Sequence, residues 1–483
     1  MTWTDLKRHI KYIDSIGNSS FEVAGIDLDS RQIKADYVFI AVRGLKSDGH
    51  DFISQAIESG AKAVVCEQYP GNIAPGIEYI KVADTSISVG LVASAFYDFP
   101  STKLKLVGVT GTNGKTTTAT MLYRLIESFG YKAGLLSTVR NYIHDRVLDA
   151  SHTTPDAVRV NQLLADMVAA GCEYAFMEVS SHAMKQNRVQ GLRFIGGIFT
   201  NLTHDHLDYH LTFDDYLKSK KKFFDQLMPG AFAITNADDR NGKIMVQNTE
   251  ANVKTYGLRT MADFKCRIKA NTLQGLILDI NGVEVHSRLV GNFNAYNFTA
   301  VYAAAIELGF ELNETLEKLS QILPVDGRFD TLYNAGKKVL GIVDYAHTPD
   351  ALENVLDTIK ELKNNGRVIT VVGCGGDRDK TKRPVMARIA VSKSDIVILT
   401  SDNPRSEDPI EILNDLVAGL DEKDHKYAYK QADRKEAIRM AARLADRSGD
   451  IILVAGKGHE NYQEIKGTKF PFDDKIILKE VLI

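Results

Sequence analysis

The run Val107-Gly108-Val109-Thr110-Gly111-Thr112-Asn113-Gly114-Lys115-Thr116-Thr117 constrains the fold more than any other stretch of the chain. An apolar segment, 104–109, leads into it. A segment with Leu122, Leu125, Ile126 and Phe129 on one helical face leads out of it. A strand, a tight glycine loop and a helix in that order form a phosphate cradle. The glycines let the backbone turn its N–H groups toward anionic oxygens. The helix start adds the positive end of its dipole. Lys115 supplies a cation for terminal phosphates and Thr116 a hydroxyl for Mg²⁺. The usual consensus has a glycine five residues before Gly114, where this chain has Val109, so the loop is a variant. Gly111, Thr112, Asn113, Gly114, Lys115, Thr116 and Thr117 are the candidate ATP-binding residues.

Strand-like runs recur at 174–179, 195–199 and 232–235, separated by helical patterns. A second series at 339–343, 368–372, 396–399 and 451–454 begins after Asp326-Gly327-Arg328. This alternation predicts an α/β chain with mostly parallel sheets. A length of 483 residues is enough for three domains. The boundaries are expected at 1–102, 103–329 and 330–483, with a linker near Phe99-Pro100-Ser101. Ligands of open parallel sheets gather at the carboxyl ends of strands. The loops 344–350, 373–383, 401–408 and 456–463 are therefore candidate ligand loops. A net charge of −3 with no long basic run argues against nucleic acid or an anionic membrane surface as partner. No apolar stretch reaches the roughly 18 residues a span needs, and the N-terminus lacks a secretory apolar region. A cytoplasmic enzyme is expected. Cys66, Cys172, Cys266 and Cys374 are too dispersed for a disulfide framework or zinc site, so reduced thiols are expected.

Two charges interrupt apolar patterns. Glu178 interrupts the otherwise apolar run 174–179, and a carboxylate there is costly unless paired or bound to metal. It is the candidate Mg²⁺ acid. Lys220 falls in the middle of the apolar face of a helix expected over 214–228, while Lys218 and Lys222 fall on the opposite side. Lys220 either snorkels to solvent or serves the nucleotide site. The nearby His204-Asp205-His206-Leu207-Asp208-Tyr209-His210 cluster suits either hydrogen bonding or a hard metal.

Together these features resemble the Mur ligase family, and the resemblance runs in order along nearly the whole chain. It includes Asp29-Ser30-Arg31, the phosphate loop, Thr153-Thr154-Pro155, Glu178 through His182, Asn201 through His210 with Lys220, Gly291 through Asn297, Asp326-Gly327-Arg328, Asp344 through Pro349, Gly373 through Pro384, Asp402-Asn403-Pro404-Arg405 and Gly456-Lys457-Gly458-His459-Glu460. The resemblance implies a smaller N-terminal α/β domain binding a UDP-muramoyl-peptide, a central P-loop ATPase-like domain, and a C-terminal Rossmann-like domain binding an amino acid. It places Ser30 in the UDP pocket, and Thr153, Thr154, Ser180, Gln186 and Arg188 on the muramoyl-peptide. It places Asn297, Arg328 and Asp344 around ATP. Lys220 matches the family's carbamylated lysine (N6-carboxylysine). His206 matches a ligand of a second Mg²⁺, so two Mg²⁺ ions are implied, held by Thr116, Glu178, His206 and Lys220. Lys115, Lys220 and His206 are the catalytic candidates.

The reaction implied is amide formation through an acyl phosphate, with Lys115 and the metal ions relieving the repulsion between carboxylate and triphosphate. The base that deprotonates the amine is open, with His206 and His210 as candidates. Arg405 offers a planar fork for a carboxylate. By resemblance, Arg378 and Arg405 hold the carboxylates of diaminopimelate, Asp402, Asn403 and Pro404 share that site, and Gly456 and Glu460 hold the distal ammonium. The expectation is a monomeric ligase adding meso-2,6-diaminopimelate to UDP-N-acetylmuramoyl-L-Ala-D-Glu. The alternatives are a lysine-adding muramoyl ligase, a folylpolyglutamate synthase-like ligase, and a non-catalytic nucleotide-binding regulator.

Overall fold

Apolar runs too short for helices, each bounded by glycine or polar turns, set three large sheets along the described residues, beside a small two-stranded one. The computed structural model describes residues 1–44, 47–150, 152–203, 205, 207–363 and 365–482. The first sheet has five strands, in the order Tyr12–Ile16, Glu78–Val82, Ala61–Cys66, Tyr37–Ile40 and Gly25–Asp27. The second has eleven strands and is built around Lys105–Thr110. That strand is paired in parallel with Tyr174–Glu178 on one side and Gly196–Phe199 on the other. The third has six strands, with Val339–Asp344, Ile451–Ala455, Val368–Cys374 and Ile396–Ser401 side by side and parallel.

The sheets are less purely parallel than the sequence pattern implies. Hairpins extend the central sheet at both edges, through Arg140–Ile143 with Arg146–Asp149 and through Phe264–Thr272, Gly275–Ile280 and Val283–Ser287. The third sheet is edged by the antiparallel Asp330–Asn334. Their alternating apolar and polar residues mark strands with one solvated face, and a search for continuous apolar runs passes over them.

Helices cover both faces of the central sheet. Lys115–Ser128 and Asn292–Glu307 pack on one side and Ala157–Ala169 and Phe213–Asp225 on the other. All four cysteines are buried and unpaired, as expected. Among the described residues no helix is long and apolar enough to cross a membrane.

The carboxyl ends of the third sheet's strands are held by a fully buried ion pair. Arg434 donates through Nε and Nη2 to the two oxygens of Asp474, at 2.8 and 2.7 Å, and Nη2 also reaches Ala455 O. Removing one partner leaves the other charge buried and uncompensated. Arg434→Met is expected to cost about 3–5 kcal/mol, read as a lower denaturation midpoint at unchanged slope.

Candidate active site

The register of the central sheet assembles the site. Glu178 lies opposite Val109 and Phe199 opposite Thr110, so the chain leaves three neighbouring strands at one edge. Gly111 has φ +148°, and a Cβ there would sit 1.9 Å from Thr200 Oγ1. Only glycine allows that approach. Asn201 Oδ1 then accepts from Asn113 N, which fixes the loop. The helix begins at Lys115.

Two lysines converge on one carbonyl. Lys115 Nζ donates to Gly111 O at 3.0 Å and Thr112 O at 2.9 Å, and Lys220 Nζ donates to Gly111 O at 2.7 Å. Burial depresses both pKa values, and for Lys220 the neighbouring Lys115 charge adds to the effect. Lys220 is 1% exposed, so it does not snorkel. Its ammonium lies 4.8 Å from the Tyr216 ring centroid. Lys218 is exposed as expected. Lys222 is not on a solvated side: it is half-buried and donates to Asn187 Oδ1.

Glu178 is completely buried and accepts from Thr138 N at 2.7 Å and Thr138 Oγ1 at 3.2 Å. Among the described residues no cation is paired with it. A buried carboxylate so placed, lining the same cleft as Thr116, suits a hard cation. The donor set fits Mg²⁺. His206 lies outside the described residues. Among those described, no group of three His, Cys, Asp or Glu residues forms a further metal cluster.

The third sheet supplies the opposite wall. Asp344, Ala455, Cys374 and Ser401 end adjacent strands, so their loops meet in one place. Asp344 is buried and accepts from Phe329 N at 2.7 Å; burial pushes its pKa up to about 6 against the pull of Arg328. Arg328 Nη2 donates to Thr116 Oγ1 at 3.0 Å, and its guanidinium lies 4.5 Å from the Tyr345 ring centroid. Asp350 accepts from Asn113 Nδ2 at 2.8 Å, so the helix Pro349–Leu362 touches the phosphate loop directly.

The two arginine-bearing loops are laced together. Gly376 N donates to Asn403 O, and Arg405 Nη1 donates to Gly376 O. A Cβ on Gly376 would sit 1.9 Å from Pro404 O. Arg405 itself has φ +52°, an uncommon conformation for a side-chain-bearing residue. A hairpin, Tyr462–Ile465 with Thr468–Pro471, holds it there: Arg405 N donates to Glu464 O, and Lys466 N donates to Arg405 O. The buried Arg383 bridges Glu407 and Asp415 and reaches Gly375 O. Glu407 also accepts from Asp377 N. The Arg383 fork holds the Glu407 pKa down at about 2, against an ordinary 4.5. A depressed carboxylate stabilises the fold above its unfolded value and loses that contribution as pH falls through the folded one. Glu407→Gln is therefore expected to melt lower than wild type at neutral pH. Its midpoint should fall less than wild type's between pH 4.5 and 2, as calorimetry would read.

One cleft of about 640 Å³ joins these walls. Thr112, Asn113, Gly114, Lys115, Thr116, Thr117, Thr153, Glu178, Asn297, Arg328 and Asp344 line it, as do Arg378, Asp402, Asn403, Arg405, Gly456 and Glu460. Gly111, Thr154, Ser180, Lys220 and Pro404 stand just behind that lining. Gln186 and Arg188 are joined to each other, and Arg188 Nη1 donates to Thr154 O. Ser30 is not brought to this cleft: it is buried in the first sheet's unit and donates to Gln55 Oε1. Thr138, Asp350 and Lys382 also line the cleft; the candidate loops 344–350 and 373–383 contain the last two, and no sequence motif singled out Thr138.

Three family models match the chain: the Mur ligase family catalytic domain over 22–95, the Mur ligase middle domain over 109–305 and the Mur ligase glutamate ligase domain over 327–458. A Cytophaga hutchinsonii protein named UDP-N-acetylmuramoyl-L-alanyl-D-glutamate–2,6-diaminopimelate ligase is 56% identical over 479 residues, covering 99% of this chain and 98% of its own. The chain belongs to the Mur ligase family. As a Mur ligase it is an ATP-dependent amide-forming enzyme. A Bacteroides fragilis relative of the same name is 53% identical over 482 residues, covering 100% of this Mur ligase and 99% of itself. A solved structure titled as that diaminopimelate ligase superposes with TM-score 0.66 at 33% identity, over 95% of this chain and 94% of its own. The Thermotoga maritima MurF ligase in complex with ADP shares the fold, with TM-score 0.62 at 18% identity over 95% of this Mur ligase and 97% of itself.

Proposed function

We propose that this Mur ligase joins meso-2,6-diaminopimelate to the D-glutamyl carboxylate of UDP-N-acetylmuramoyl-L-Ala-D-Glu, with ATP converted to ADP and phosphate. One observation carries the reading. A single cleft has a phosphate loop on one wall and, on the other, two arginines with an acid and an amide beside them. The relatives named for that reaction support the choice of amino acid.

The substrate carboxylate attacks the γ-phosphorus, the bond to ADP breaks, and an acyl phosphate forms. The amine then attacks the acyl carbon, the C–O bond breaks, phosphate leaves and the nitrogen loses a proton. Both reactants of the first step are anions, so the step needs positive charge at the transferring phosphoryl group. Lys115 supplies it once a nucleotide draws its ammonium away from Gly111 O and Thr112 O. Thr116 and Glu178, with Lys220 as its carbamate and His206, would hold two Mg²⁺ ions. Bound there, Mg²⁺ neutralises phosphate charge and aligns the oxygens. The depressed pKa of Lys220 favours the free amine, the form that adds CO₂. Asn297, Arg328 and Asp344 surround the nucleotide. Thr153, Thr154, Ser180, Gln186 and Arg188 orient the muramoyl-peptide, and Ser30 receives its UDP end. Arg378 and Arg405 take the carboxylates of the diacid, beside Asp402, Asn403 and Pro404, while Gly456 and Glu460 take its distal ammonium. The enzyme acts as a monomer in the cytoplasm.

The test is phosphate release from ATP and the muramoyl-dipeptide with diaminopimelate, L-lysine or glutamate as acceptor, and mass detection of the tripeptide. Turnover with diaminopimelate alone is expected. Preference for lysine or glutamate would move the chain to another branch of the family. ATP binding without acceptor-dependent turnover would make it a regulator.

A further inference from the structure

Behind the amino-acid end of the cleft lies an ammonium that the reaction above does not use. Lys457 follows the strand Ile451–Ala455, and its side chain is completely buried. It does not line the cleft, whereas Asn403 and Glu460 do. Its Nζ donates to Asn403 Oδ1 at 2.9 Å and to Glu460 Oε2 at 3.0 Å, and lies 5.5 Å from the Tyr462 ring centroid. Burying an ammonium is costly, and an apolar side chain of similar size would fill the space without that cost.

The contacts dictate the polarity of both neighbours. Asn403 Oδ1 takes two donors, Lys457 Nζ and Glu464 N at 2.9 Å. The amide therefore cannot flip without setting its NH₂ against an ammonium and an N–H. Its Nδ2 is thereby aimed at Glu460 Oε2, at 2.7 Å. That oxygen now holds two short bonds, while Oε1 has only a 3.5 Å contact with the Tyr345 hydroxyl. Oε1 is the oxygen with acceptor capacity to spare.

We infer that Lys457 is a positioning residue for amino-acid selection: held behind Asn403 and Glu460, it occupies one carboxylate oxygen and presents the other to the ammonium of an incoming zwitterionic head. The inference rests on the reading of this end of the cleft as the diacid's far-head site. Without Lys457, Asn403 Oδ1 keeps only the Glu464 N donor and Glu460 can turn inward. The cost falls on recognition of the amino acid and leaves phosphoryl transfer intact.

The experiment is steady-state kinetics of Lys457→Met with each substrate varied in turn. Loss of a buried charged hydrogen-bond partner should raise KM for diaminopimelate by about 10- to 100-fold. KM for ATP and kcat at saturation should stay within about threefold, because binding alone is affected. A folded Lys457→Met enzyme with an unchanged diaminopimelate KM overturns the inference, as does an equal loss across all substrates, the mark of a purely structural residue. Should methionine prevent folding, Lys457→Gln keeps a donor for Asn403 without the charge, and an unchanged KM there has the same force. Wild-type enzyme that ignores diaminopimelate would defeat the functional reading itself. Active wild type with indifferent variants would defeat only the role of Lys457.

Discussion

Lys115→Met is expected to lower turnover by about 10³-fold or more, with the fold intact. The effect is large because the charge it removes acts where charge develops. In this structure Lys115 is satisfied by two loop carbonyls, Gly111 O and Thr112 O. It shares the first of them with Lys220. Two amino groups crowd one carbonyl, so an arriving polyphosphate that draws the Lys115 ammonium away relieves crowding as well as gaining it a partner. A preorganised cation in a water-poor site contributes several kcal/mol to such a transition state, which converts to about three decades in rate. The circular dichroism spectrum and the denaturation midpoint should stay near wild type, since crowding is reduced. A variant within tenfold of wild-type turnover at saturating ATP would remove Lys115 from the chemistry.

Arg405→Ala is expected to lower kcat/KM for diaminopimelate by about 10³-fold while leaving nucleotide affinity unchanged. A site built to pair a carboxylate discriminates strongly, because its loss leaves the substrate charge without a partner. The structure isolates the effect. Arg405 reaches Gly376 O and lies near Glu464, and none of its hydrogen bonds goes to the phosphate loop. Its backbone is held by the hairpin, so alanine keeps the same bonds from Glu464 O and Lys466 N. Arg405→Lys should recover little, since a point charge does not reproduce the planar fork. Titration calorimetry with ATP and with diaminopimelate separates the two sites. Parallel losses in both would show that the arginine holds the cleft together and does not read the amino acid.

Much of this arrangement could be read from the chain. The phosphate loop is contiguous, so its strand, turn and helix declare themselves in eleven letters. Glu178 and Lys220 stand out because each puts a charge where the periodicity calls for an apolar residue, and both are buried in the structure. Lys457, Arg383 and Asp350 give no such signal. Lys457 and Arg383 sit in polar loops or beside other basic residues, and their importance comes from partners met only after folding. Asp350 belongs to a recognisable motif, but its bond to Asn113 spans 237 residues. The hairpin strands of the central sheet alternate apolar and polar residues over short lengths, and past the candidate loop 456–463 no sequence motif marks the hairpin 462–471. Its bearing on Arg405 is visible only through the backbone bonds that join them.

The bond between Asp350 and Asn113 ties the unit of the third sheet to the loop 111–117. Any occupant of that loop which moves the Asn113 amide changes what the helix Pro349–Leu362 gains by docking. Free energies of this kind are reciprocal: the factor by which nucleotide alters affinity for the amino acid must equal the factor by which the amino acid alters affinity for nucleotide. Coupling between the two sites is therefore expected to run through one carboxylate, and shortening that side chain should loosen them from each other.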